Sequence, residues 1–279
     1  MSTATQHLFT NRQHLTTEAY GNSANLDARK SIYQYQQQPF DLVEWVLGHV
    51  EWRGDETVLD VGCGTGQYLK HLARRGGMRL IGFDLSRGML ADLVRQWNAA
   101  APRPHLAVAD AQALPLAHAC CEVVLAMHML YHVSDIVQAA REFRRVLRPD
   151  GVLLALTNSE QHLQKLQDML QAAIDCAAGQ PLSLPARFAT RFSLENGAAP
   201  LQTAFQHIAL HEASNELAIP DVAPVVAYCN SVRQTYEAVL PAGVSWNAVL
   251  AEVERRVAAE IAIHGAFRVQ TSIGVFVCR

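Results

Sequence analysis

The sequence predicts an α/β protein built on a mostly parallel sheet with helices on both faces. Three observations carry this reading. Between Val58 and Ser159, short apolar runs bounded by turn residues alternate with helix-length amphipathic stretches. The first run, VLDVGCGTG from Val58 to Gly66, opens into a glycine-rich loop. The next two runs each end in an acid, Asp84 and Asp110, where a sheet of this kind presents its ligand-binding edge.

Taken in order, Val58, Leu59 and Val61 read as a buried parallel strand, with Asp60 just before its end. Gly62, Gly64 and Gly66 form the loop, with Cys63 inside it, and QYLKHLARR from Gln67 to Arg75 forms the helix behind. Glycine permits positive φ and close approach of a ligand to the backbone. The amides of a following helix N-terminus favour a negative or polar group. The spacing is G-x-G-x-G; a dinucleotide fingerprint would be G-x-G-x-x-G. Asp60 would repel a pyrophosphate but can receive an ammonium group.

MRLIGFDLS, Met78 to Ser86, is the second strand, ending in Asp84. Its distance from the loop is close to the ~20 residues at which an acid meets ribose hydroxyls in such folds. HLAVADAQALPL is a third strand followed by Asp110 and Ala111, and CEVVLAMHMLYHV is a fourth with Met127 and His128 at its exit. REFRRVLRPDGVLLALTNS gives a helix stopped at Pro149, a turn at Asp150-Gly151, and a fifth strand over Val152 to Leu156.

The nonapeptide VLDVGCGTG, with these following segments, resembles the class I S-adenosylmethionine (SAM)-dependent methyltransferases of the small-molecule branch. The resemblance covers most of Val46 to Ser159. It implies a Rossmann-like sheet of seven strands in the order 3-2-1-4-5-7-6, the last strand antiparallel and inserted between the fifth and sixth. It implies SAM as cofactor and S-adenosylhomocysteine as product. Asp60, Gly62, Cys63, Gly64 and Gly66 would form the loop that holds the cofactor, Asp84 would meet the ribose, and Leu85 and Met89 would also contact the cofactor. Asp110 and Ala111 would meet adenine, with Met127 or Leu114 near its face. Tyr20 and Arg29, in an N-terminal segment, would cover the cofactor and reach its carboxylate.

The rest of the chain is read by pattern. Residues 1–40 form a polar, aromatic covering segment, and residues 41–279 the main domain. Phe40, Val43, Val46, Leu47 and Val50 recur at helical spacing. Residues 160–204 separate the fifth strand from a sixth over Phe205 to Ala213. That is far longer than an ordinary connection, and it is expected to act as a helical lid over the acceptor. Trp246, Val249, Leu250, Val253, Val257 and Ile261 form a stripe that should bury against the sheet, Gly265 ends that helix, and RVQTSIGVFVC is the last strand.

Composition narrows the function. The net charge of −3 and the lack of a basic run argue against nucleic-acid binding. Six cysteines without a C-x-x-C pair suggest reduced thiols in a cytoplasmic protein, and neither they nor the twelve histidines form a metal motif. No stretch reads as a signal peptide or membrane span. The expectation is a methyltransferase moving a methyl group to O, N or C of a small molecule such as a secondary metabolite, mainly by proximity and orientation. His128 and, next, His132 are the candidates for a base or for acceptor positioning. The alternatives are an RNA or protein methyltransferase and a non-catalytic SAM-fold binding protein. Monomer and homodimer are both compatible with the sequence.

Overall fold

A computed structural model describes residues 10–21, 23–184 and 188–279. Residues 1–9 of the expected covering segment therefore lie outside the described residues. The sheet has seven strands in the order β3-β2-β1-β4-β5-β7-β6, as the resemblance implies. They are β1 (Thr57–Val61), β2 (Arg79–Asp84), β3 (His105–Val108), β4 (Cys121–Met127), β5 (Leu147–Asn158), β6 (Ile208–Ile219) and β7 (Phe267–Cys278). The first five pair in parallel, and β7 runs antiparallel to both β5 and β6.

Helices cover both faces because the strands are apolar on both sides. α1 (Ala24–Ser31) and α2 (Leu42–Leu47) precede the sheet; α3 (Gln67–Arg75) and α4 (Arg87–Gln96) follow β1 and β2. Val43, Val46 and Leu47 of α2 join Leu69 and Leu72 of α3 and Leu93 of α4 on one face. On the other, Ala139, Ala140, Phe143 and Val146 of α5 (Ile136–Val146) pack on Leu59, Val124 and Leu153. Asp41, Ser86 and Asp135 cap α2, α4 and α5 by accepting hydrogen bonds from first-turn amides.

Two boundaries differ from the sequence reading. α5 ends at Val146, and β5 already begins at Leu147, which pairs with Cys121. Residues 148–151 then form a bulge before pairing resumes at Val152 and Val123. β6 starts at Ile208 and runs on to Ile219; Phe205 is buried in the core instead.

The long β6 has a consequence for the site. β5 pairs with β7 only from Leu153–Cys278 to Asn158–Ile273, whereas β6 and β7 stay paired to Ile219–Phe267. The hairpin thus projects past the carboxyl end of β5. α6 (Gln164–Ala178), α7 (Val222–Ser231) and α8 (Trp246–His264) gather on this projection with Ile32 in a third apolar cluster. α8 was expected to bury against the sheet. Its Trp246, Val249, Val253 and Val257 stripe packs in that cluster, mainly on α6 and α7 with the hairpin extension beneath. The residue 160–204 segment is therefore joined over the sheet edge by residues 222–264.

Candidate functional site

A cavity of about 1050 Å³ opens at the carboxyl ends of β1, β2 and β4. Its floor is the glycine loop. Gly62, Gly64 and Gly66 have φ of 71°, 53° and 74°, which side-chain-bearing residues rarely adopt. The loop amides are spent inside the protein: Gly62 and Cys63 donate to the Phe83 carbonyl, and Gly64 donates to Asp84 Oδ2 at 2.8 Å. Much of the loop's donor capacity thus fixes its shape and is not offered to a ligand.

Asp84 is the hinge of this arrangement. Its Oδ1 accepts from the Ser86 amide at 2.7 Å while Oδ2 holds Gly64. Burial raises its pKa, and the amides of Ser86, Gly64 and Leu85 oppose that rise. A carboxylate offers about four lone-pair sites, so capacity remains for a vicinal diol. Ser86 Oγ donates to the Tyr20 carbonyl, which seats the N-terminal segment on α4.

Asp60 lies beneath the loop and off the cavity wall. It is 1% exposed, and neither carboxylate oxygen has a hydrogen-bond partner. Burial, then the nearby Asp84 charge, pushes its pKa well up. A buried acid without a partner strongly favours a cation above it. On the far wall, Asp110 Oδ1 accepts from the backbone and side chain of Gln112, and Oδ2 pairs with Arg12 at 3.3 Å. Ala111, Leu85, Met89 and Met127 line the same region. Leu114 is buried in the core and does not reach the wall.

The outer half of the cavity is built by segments remote in sequence. His128 sits at the β4 exit with φ of 52°, a strained conformation for a residue of its kind, and its amide donates to the Leu156 carbonyl. Burial, then His162 and Lys30, lowers its pKa to about 3. His132 Nε2 lies 2.9 Å from Tyr20 Oη. Similarly, His162 Nε2 lies 2.8 Å from Tyr33 Oη. Two phenol–imidazole bonds therefore fasten the N-terminal segment across the opening. Arg29 stacks over the Tyr20 ring at 5.2 Å and donates from Nε to the Asn25 carbonyl, while Nη2 is shut off from solvent without a partner.

A family model described as a methyltransferase domain matches residues 59–155. The malonyl-[acyl-carrier protein] O-methyltransferase of Serratia marcescens is 37% identical over 131 residues, which are 47% of this chain and 49% of that protein. The matched segment holds the glycine loop, Asp84, Asp110 and His128. That segment is similar to a methyltransferase domain. The chain spans about half the length of the curated relatives it matches. In fold, it is similar to the [4+2]-cyclase SpnF, with TM-score 0.57, 17% identity and 96% of each chain covered. It is also similar to phosphoethanolamine N-methyltransferase 2 of Haemonchus contortus solved with S-adenosyl-L-methionine, with TM-score 0.54, 16% identity, 99% of this chain and 60% of that one.

The fold brings to one cavity wall Tyr20, Arg29, Gly62, Cys63, Gly64, Asp84, Leu85, Met89, Asp110, Ala111, Met127, His128 and His132. Of the residues expected from sequence, Asp60 and Gly66 stand behind that wall. Gly66 is the N-cap of α3 and packs under Leu93, where an added Cβ would meet Leu93 Cδ1 at 2.7 Å. Arg12, Tyr33, Asn158, His162 and Tyr228 also line the cavity, and the sequence reading did not assign them to it. No local motif marks them, because each enters through a tertiary contact. Among the described residues no group of three or more His, Cys, Asp or Glu could hold a metal ion, and no helix is long and apolar enough to cross a membrane.

Proposed function

We propose that this domain binds SAM and transfers its methyl group to a small-molecule acceptor enclosed by the N-terminal segment, the β4 exit and the helices on the β6–β7 hairpin. One observation carries the reading. A single cavity is lined both by the glycine loop, Asp84 and Asp110 and by aromatic and histidine side chains remote in sequence, with a volume at the upper end of the range for ligand pockets. The Serratia relative, named for an O-methylation, is consistent with an oxygen acceptor.

When bound, SAM supplies a methyl carbon activated by its sulfonium charge. The buried Asp60 would favour the cofactor's ammonium group, and Asp84 and Asp110 offer acceptors for hydroxyl and amine groups. Tyr20 and Tyr33, held by His132 and His162, close the chamber and exclude water. His128 stays neutral at working pH and lines the chamber, where it contributes shape and hydrogen bonding. Its conjugate acid is too strong for it to draw a proton from a hydroxyl of high pKa, so orientation supplies most of the acceleration.

The test is calorimetry with SAM on the wild type and on Asp84→Asn, together with detection of S-adenosylhomocysteine on turnover. The variant should bind more weakly by about 1.5–3 kcal/mol, the cost of losing a charged hydrogen-bond acceptor. Unchanged affinity, or tight NAD binding by the wild type, sinks the reading.

A further inference from the structure

The charges in the cavity are unevenly placed. Its acids are Asp41, Asp84 and Asp110 among the described residues. Asp41 caps α2, Asp84 ties the glycine loop, and Asp110 pairs with Arg12. Each is thus committed near the cofactor half or to local structure. The outer chamber has the opposite character. There Arg29 stands among the hydroxyls of Tyr20, Tyr131 and Tyr228, which belong to the N-terminal segment, the β4 exit and α7. Burial lowers the guanidinium's pKa and the three tyrosines oppose that, so the net shift is upward and Arg29 stays charged.

Arg29 makes no ion pair among the described residues, and its Nη2 lacks both solvent and a hydrogen-bond partner. An unmatched guanidinium is costly in such a place unless an anion arrives. The same cavity also has apolar lining, from Leu166, Leu170, Val232 and Ile273. The neutral histidines His128 and His162 complete the chamber without adding an acid.

We infer that the methyl acceptor is an organic acid with an apolar body, held through its carboxylate by Arg29 and methylated on a carboxylate oxygen. This rests on the methyltransferase reading above and names its substrate class. The chemistry is consistent with the residues present. A carboxylate is already ionised, so no base is required. Its oxygen forms a bond to the methyl carbon as the carbon–sulfur bond breaks, and the electron pair returns to sulfur, leaving a neutral thioether and a neutral methyl ester. No proton moves. The ester has lost the charge that Arg29 holds, which favours its release. The sequence reading assigns Arg29 to the cofactor's own carboxylate; its tyrosine neighbours on α7 and the β4 exit point to the acceptor.

The experiment is calorimetry on the full chain saturated with S-adenosylhomocysteine. The probes are matched acid and amide pairs: benzoate and benzamide, phenylacetate and phenylacetamide, octanoate and octanamide. At least one acid should bind about tenfold or more tightly than its amide. Arg29→Gln should abolish that preference and Arg29→Lys should restore part of it, while both keep wild-type affinity for S-adenosylhomocysteine, which also reports that they fold. Equal binding of acid and amide, no binding of any acid, or a preference that survives Arg29→Gln overturns the inference. A large loss of S-adenosylhomocysteine affinity in Arg29→Gln also overturns it and returns Arg29 to the cofactor. Failure of the wild type to bind S-adenosylhomocysteine at all would strike the methyltransferase reading instead.

Discussion

Tyr33 and His162 meet through a 2.8 Å hydrogen bond between Oη and Nε2, although 129 residues separate them. The imidazole is fixed from behind. Its Nδ1 lies 3.0 Å from the Ser272 carbonyl oxygen and 3.1 Å from the Ser272 amide nitrogen. With the proton on Nδ1, the ring donates to the carbonyl and accepts from the phenol; with the proton on Nε2, it accepts from the amide and donates to the phenol. Either tautomer leaves the N-terminal segment fastened to the projecting β6–β7 hairpin. Tyr20 and His132 repeat the device at the β4 exit.

Neutral buried imidazoles make the fold acid-sensitive. Burial lowers His128 to about 3 and His162 to about 4, against about 6.5 when unfolded. Between these values the unfolded chain binds protons that the fold refuses. Stability is therefore complete above about pH 6.5 and falls as pH drops towards 4. Urea midpoints at pH 7 and pH 5 should show this loss in the wild type. His128→Asn, which tolerates the positive φ and does not titrate, should lose roughly half as much. Equal losses in the two proteins would remove His128 from the effect.

Asp60 gives the opposite sign and a ligand dependence. Its folded pKa is raised, chiefly by burial and then by Asp84. Its stabilising contribution is full below the unfolded value of about 4 and is lost as pH rises through the folded value. A cation over the loop favours the ionised form. Affinity for SAM should therefore strengthen as pH rises through that range, with proton release on binding. Asp60→Asn should flatten the pH dependence, weaken binding above it, and raise the melting temperature there by removing a buried charge. Calorimetry in buffers of different ionisation enthalpy measures the released proton directly.

The glycines of the loop separate folding from binding. A Cβ at Gly66 would press on Leu93 Cδ1 at 2.7 Å, at φ of 74°. Gly66→Ala should cost the fold about 2–4 kcal/mol from strain and overpacking together. At Gly64 the nearest atom would be Met89 Cε at 3.4 Å, an ordinary contact, at φ of 53°. Gly64→Ala should cost the fold only about 1–2 kcal/mol. Its new methyl group stands on the cavity wall, so cofactor affinity should fall by about tenfold or more. Denaturation and calorimetry on both variants resolve the contrast.

What the sequence shows follows the range of its signals. Apolar period, turn residues and caps act within one element or between neighbours. They mark β1 to β5, the glycine loop and the acids at strand ends. The α5 boundary was misjudged because Pro149 looked like the stop, whereas pairing of Leu147 with Cys121 ends the helix earlier. β6 was drawn too short because Ser214, Asn215 and Glu216 interrupt its apolar run; pairing with β7 and burial of Leu217 and Ile219 in the third cluster carry it to Ile219.

The sequence by itself determined β1 to β5, the floor of the site and the end where the cavity opens, since each rests on residues close together in the chain. Tertiary structure decided the roof. It placed Asp60 beneath the wall, joined Tyr20 to His132 and Tyr33 to His162, and set Arg29 beside Tyr228 of α7. Those relationships depend on how far the β6–β7 hairpin projects and on which helices pack upon it. Long-range packing fixes both, and hydrophobic periodicity within a single element carries no record of its partner.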